Sequence, residues 1–195
     1  MSTPQQESLL KELKTDLQTG LTSDEALNRR EEDGCFNVVR PPVDCPGWLC
    51  ILLPCIKHIP SMKAFAPLKP DDAEVRRESK WVRYDAASLV RGDIIRLEEG
   101  DTVPADCIVL NVEGESNELL VDVRSVVGDD QLRSCTGTDP VKLYLGSTVV
   151  QGSATAVVNA IGPNTLLAKL IREKRFPPKE PVLEDEVGIA MTSLS

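Results

Sequence analysis

The chain has 195 residues, of which 41% are hydrophobic and only 4% aromatic, and it carries a net charge of −9 at pH 7. That length suits one medium domain with appendages and an aliphatic core, and the acidic balance excludes nucleic acid and a broad polybasic membrane surface as partners. Met1 to Leu10 lack the charged start and apolar run of a secretory leader, so the six cysteines read as free thiols in a reducing, cytoplasmic compartment; no stretch reaches the ~20 apolar residues of a membrane-spanning helix.

Residues 1–39 form an N-terminal helical segment. Leu9, Leu10, Leu13 and Leu17 recur on one face at helical spacing, and Gly20 stops that helix. Thr22 and Glu25 have the spacing of a capping box for a second helix that runs through Ala26, Leu27 and Arg30 and ends at Gly34. Both helices are too short to persist alone, so the leucine stripe must pack on something.

Residues 40–61 change character. Five prolines between Arg40 and Pro60 exclude a regular helix or central strand, and Gly47 to Ile56 make a short apolar patch. Cys45, Cys50 and Cys55 recur every five residues and His58 follows. Three readings stay open. The four side chains supply enough ligands for zinc, although the spacing matches no zinc finger. The three cysteines, beside Trp48 and Leu49 and near Lys57 and Lys63, suit reversible palmitoylation at a membrane surface. Alternatively the patch packs on the main body as a clasp.

Residues 62–176 read as a β domain with a terminal helix. Trp81 to Tyr84, Asp93 to Leu97, Asp106 to Asn111 and Glu118 to Val123 are short strands, with a turn at Glu98 to Asp101. Lys142 to Gly162 reads as strands broken at Gly146 and at Gln151-Gly152, the latter like a tight hairpin. Such short, turn-rich strands predict a double-sheet, distorted jelly roll rather than a parallel sheet. Asn164 is expected to cap a helix with Leu166, Leu167, Leu170 and Ile171 on one face. Arg172, Lys174, Arg175 and Lys179 read as a solvated helix end, and residues 177–195 as a disordered acidic tail. Cys107, in a strand, is expected in the core.

These segments carry a family resemblance. "LVRGDIIRLEEGDTVPADCIVL" and "GSTVVQGSATAVVNAIGPNTLLAKL" resemble the opening and close of the actuator domain of P-type cation ATPases. "GLTSDEALNRREEDGCFNVV" resembles those pumps' N-terminal helices, and "MKAFAPLKPDDAEVRRESKWVRYDAASL" is similar to the lead-in strand of the plasma-membrane proton-pump branch. The resemblance implies a mainly β actuator fold with flanking N- and C-terminal helices, in which Asp101 and Asp106 fix turns. It also implies a T-G-E-S loop that swings over an aspartyl-phosphate and positions a hydrolytic water through its Glu. Glycine there lets backbone approach the phosphate, and the carboxylate orients and deprotonates water.

In this sequence the corresponding residues are Val127, Gly128, Asp129 and Asp130. The hydroxyl of the first position is gone, the carboxylate is one methylene shorter, and a second negative charge follows. A carboxylate withdrawn by about 1 Å costs on the order of 10²-fold in a positioned reaction, and an added anion beside phosphate is repulsive. Pro41 to Ile59 stands where the resemblance implies a membrane hairpin, but it is too short and proline-rich to cross a bilayer twice. No D-K-T-G-T phosphorylation motif occurs. The expectation is a stand-alone, non-enzymatic actuator-like protein without cofactors. It would regulate or scaffold by docking on a P-type ATPase, its phosphorylation domain, or the cytosolic face of a membrane. Two alternatives are a phosphatase component acting in trans through Asp129 on a split pump, and a metal-binding protein using the cysteine cluster.

Overall fold

A computed structural model describes residues 4–43, 58–114, 117–137 and 140–182. Cys45, Cys50, Cys55 and the tail from residue 183 lie outside the described residues.

Among the described residues, nine strands form two antiparallel sheets. β1 (Asp72–Arg77), β2 (Lys80–Asp85), β3 (Ile94–Leu97), β4 (Asp106–Glu113), β7 (Lys142–Leu143) and β9 (Ser153–Ala160) make the first, in the order β2-β1-β3-β9-β4-β7. β5 (Glu118–Asp122), β6 (Arg133–Thr136) and β8 (Thr148–Gln151) make the second, in the order β6-β5-β8. β1 and β2 close over a two-residue turn whose Glu78 (φ 52°) and Ser79 (φ 65°) are both left-handed, as a twisted hairpin demands.

β9 lies between β3 and β4 and is buried on both faces, which is why its sequence is nearly continuous in small and branched residues. Ala154, Ala156 and Val158 face the main core between the sheets; Val157 faces the opposite way, with Ile94, Ile108 and Leu110. Helix α1 (Pro4–Glu12) covers that outer face. Leu13 is buried there and Leu9, Leu10 and Leu17 pack around it, so the leucine stripe finds the surface it needs. Helix α2 (Ser23–Asp33) starts on the expected capping box, with both reciprocal Thr22–Glu25 bonds formed.

Several local expectations need correction. Helix α1 ends at Glu12 rather than continuing through Leu17, because Lys14 turns left-handed (φ 47°) and the Asp16 carboxylate takes the amides of Gln18 and Thr19. Gln151-Gly152 is not a hairpin: β8 belongs to the second sheet and β9 to the first, so this is a corner where one strand path changes sheets. Gly152 makes the corner possible. Its φ is +88°, and a Cβ there would come within 2.3 Å of the Glu118 carbonyl oxygen. The short helix α3 (Pro60–Phe65) gives no periodic signal in the sequence. The helical turn α4 (Arg124–Val127) follows the strand expected to end at Val123 and takes in Val127, the first residue of the expected loop. The last helix, α5 (Leu166–Arg172), is capped by Thr165, because residues Gly162–Asn164 are used in a 3-10 turn before it.

Candidate functional site

The turn from Asp122 to Asp130 begins where β5 leaves the second sheet. Asp122 accepts from Arg124 Nε at 2.9 Å, Nη2 at 2.6 Å and backbone N at 3.0 Å. The Arg124 guanidinium holds its carboxyl below the ordinary carboxylate range. Val123, Val126 and Val127 then bury their side chains in the main core, and this (i, i+3, i+4) spacing winds the segment into α4. The turn ends on Gly128, left-handed at φ 74°, whose N–H donates to the Arg124 carbonyl at 3.0 Å.

The four residues singled out from sequence therefore fall in one place but face different ways. Val127 points into the core and presents only its carbonyl, which accepts from Val182 N at 2.9 Å. Gly128 is half-buried, with Glu180 and Pro178 above it: a Cβ on Gly128 would lie 3.0 Å from the Glu180 carbonyl oxygen and 3.1 Å from Pro178 Cβ. Asp129 folds its Oδ1 back to accept from Gln131 N at 3.1 Å. Asp130 is exposed. Sequence reasoning missed Pro178, Glu180 and Val182 as neighbours of this turn. The available signal was slight: two apolar residues, Phe176 and Val182, framing a run that is otherwise proline and charge.

The three aspartates of the signature segment do structural work. Asp101 accepts from Glu98 N at 2.8 Å and closes that turn. Asp93, fully buried, receives Arg77 Nε at 2.9 Å, Arg77 Nη2 at 2.6 Å and Val90 N at 2.9 Å. Asp106 receives Leu145 N at 2.9 Å and Leu166 N, the first residue of α5, at 2.7 Å. Burial pushes its carboxyl up to about 6 despite those amides and Lys169. Asn37 ties the N-terminal segment to the body by donating to the Ala86 and Pro104 carbonyls and accepting from Gly162 N.

Cys107 and Cys135 are core residues. Burial raises the Cys107 thiol far above its ordinary range and pushes Cys135 up to about 11, which leaves both protonated and unreactive at neutral pH. His58 is exposed, and among the described residues no group of three His, Cys, Asp or Glu is placed to hold a metal ion. Among the described residues no helix is long and apolar enough to cross a membrane. A cleft of about 330 Å³ beside α1 is lined by Asp16, Glu25 and Glu78, whose carboxylates already accept local amides and hydroxyls. A second, of about 280 Å³, lies beside the bonded Asn37. Neither cleft includes the Gly128 turn.

Comparison with known proteins finds two matching segments. The family model for the P-type ATPase actuator domain matches residues 67–174, and that for the cation transporter/ATPase N-terminus matches residues 3–55. The endoplasmic reticulum calcium ATPase srcA of Aspergillus fumigatus is 37% identical over 119 residues, covering 54% of this chain and 12% of that protein. A Leishmania donovani protein named Probable proton ATPase 1A is 37% identical over 103 residues, covering 52% of this chain and 10% of its own length. The crystal structure of a zinc-transporting PIB-type ATPase in the E2.Pi state aligns with 62% of this chain and 19% of its own, at 22% identity and a TM-score of 0.48. The chain thus spans about a tenth to a fifth of the pumps it matches.

Proposed function

The chain belongs to the P-type ATPase actuator-domain family, and on that premise we propose that it acts as a non-catalytic docking module, regulating or scaffolding a P-type ATPase in trans. The turn at Gly128 supports this reading. Water activation needs a carboxylate that reaches out to a water held against phosphorus. Here the Asp129 carboxylate is short and accepts from the amide of Gln131 in its own turn. Val127 contributes no hydroxyl, its side chain lies in the core, and its carbonyl is already bonded. Asp130 sets a second carboxylate at the mouth of the turn, where it repels a phosphoryl group. The surrounding scaffold is intact, so the domain keeps a shape for contact without the groups for hydrolysis.

The reading is tested with a P-type ATPase trapped as its aspartyl-phosphate. Phosphate release is followed with and without this chain, alongside binding of the chain to the phosphorylated pump. Binding without acceleration is expected. Acceleration that disappears in Asp129→Asn would instead establish the phosphatase reading. A contact with a membrane surface through the apolar segment from Gly47 to Ile56 belongs to the same proposal, on sequence grounds. Sedimentation of the chain with cell membranes, abolished by replacing Cys45, Cys50 and Cys55 with Ser, is the expected result if lipidation drives it. Zinc retained by the purified chain and lost in the same variant would favour the metal reading.

A further inference from the structure

We propose that residues 176–182 are an intramolecular strap that closes the Gly128 turn, and that the turn becomes available to another protein only when the strap lifts.

The segment has two anchors and little between them. Phe176 is buried in the main core and meets Phe65 of α3 edge-on, with ring centroids 6.5 Å apart. Val182 is buried at the far end, and its N–H donates to Val127 O at 2.9 Å. Between them run Pro177, Pro178, Lys179, Glu180 and Pro181, of which only Pro178 is half-buried and the rest are exposed. This stretch has no strand or helix pairing of its own. It touches the body where Glu180 and Pro178 lie over Gly128. The left-handed turn and the space taken by the strap therefore both call for glycine at position 128.

The construction favours opening at one end. Three prolines in five residues stiffen the crossing, so that the lifted segment gains less freedom than a flexible one and swings as a unit from Phe176. Both anchors sit in the core cluster, but one valine and one backbone bond hold the far end, whereas the larger Phe176 adds an edge-on ring contact with Phe65. Segments held by few buried contacts open locally while the sheets stay closed. On the docking reading the strap lies over part of the surface a partner would meet, so it lowers affinity without abolishing binding and works as an autoinhibitory contact. The inference rests on the docking reading for what the open turn meets, but not for the opening itself.

The test needs no ATPase. In the full-length chain, Val182→Pro removes the donor N–H, and Val182→Asp makes the far anchor unfavourable to bury. Each variant is treated with an endoproteinase that cuts before Asp, under native conditions, while amide exchange is followed in β4 and β9. The expected result is cleavage before Asp129 and Asp130 at least about tenfold faster than in the wild-type chain, as for a site whose open population has risen tenfold, with β4 and β9 as protected as before. Unchanged cleavage overturns the proposal. So does faster cleavage accompanied by loss of protection in β4 and β9, because the segment would then be part of the core and not a movable cover. A chain that opens in this way yet fails to bind a phosphorylated pump leaves the strap established and removes the docking reading.

Discussion

In the segment from Arg91 to Leu110, two carboxylates, those of Asp93 and Asp106, point inward. Asp93 and Asp106 are buried and each takes backbone amides, Asp93 with a guanidinium in addition. In the segment from Val121 to Asp130, Asp129 binds only its own turn and Asp130 faces solvent, while the valines beside them do the packing. The same residue type is thus scaffold in one turn and surface in the other. Position relative to the core decides the role: a buried carboxylate must be satisfied or the fold fails, while an exposed one is bound by no such condition. In this family domain one turn is bonded into the core, and the other keeps its carboxylates at the surface.

The contrast is broken most sharply at Asp93. Asp93→Ala strips Arg77 of its partner while the guanidinium stays buried, and removes the acceptor for Val90 N. Leaving a buried charge uncompensated costs about 3–5 kcal/mol, so urea unfolding should shift to much lower denaturant. A loss under about 1 kcal/mol would show that water reaches Arg77 and that this turn is not the rigid one.

Asp106 sharpens the comparison through pH. Its carboxyl is pushed up to about 6, against an ordinary value of 3.8, by burial. A raised carboxyl favours the folded state while protonated, so its contribution is full below about pH 4 and is lost as pH climbs through about 6. The stability of the wild-type chain minus that of Asp106→Asn should therefore fall by about 2 kcal/mol between pH 4 and pH 7. A difference that stays flat would mean that the amides of Leu145 and Leu166 offset burial completely.

Much of this division was legible in the sequence, and the exceptions have physical causes. The Thr22–Glu25 capping box forms with both bonds, and the leucine stripe of the N-terminal helix finds the outer face of β9. The double-sheet architecture follows from short strands separated by glycine and polar turns. Helix α4 escaped because Ser125-Val126-Val127 has strand propensity, and only the core on one side of it makes the (i, i+3, i+4) valines wind. The corner at Gly152 looked like a hairpin because local sequence does not tell which sheet the next strand will join. The strap left almost no trace: two apolar residues separated by three prolines and two charges set up no repeating pattern. At the site itself the four residues of the turn were found, but their orientation was not, since burial of Val127 depends on tertiary neighbours and the bond of Asp129 to Gln131 N on the backbone conformation of the turn.

Gly128 ties the two halves of the comparison together. Gly128→Ala must hold alanine at φ 74° and place a Cβ 3.0–3.1 Å from the Glu180 carbonyl and Pro178. The backbone penalty is about 1 kcal/mol, and crowding by the strap raises the total to about 1–2 kcal/mol in thermal unfolding. Adding Val182→Pro relieves the crowding, so the double variant should lose less than the sum of the singles. Strict additivity would mean that the strap does not press on the turn.

The smallest effect is expected at Asp129, and its smallness is informative. Asp129→Ala removes one exposed bond to the Gln131 amide at 3.1 Å and one of two adjacent negative charges. Surface changes of this kind stay within about 0.5 kcal/mol, and relief of repulsion from Asp130 offsets part of the lost bond. Thermal unfolding of the variant should overlay that of the wild-type chain. Phosphate release from a trapped aspartyl-phosphate should also be the same with either protein. Were Asp129 to sit in a working site, the two measurements would part: a catalytic carboxylate is selected for reach toward its substrate and contributes little to stability, so its removal would abolish release and leave the melting curve in place. Silence in both assays is what separates this turn from the buried carboxylates a few strands away.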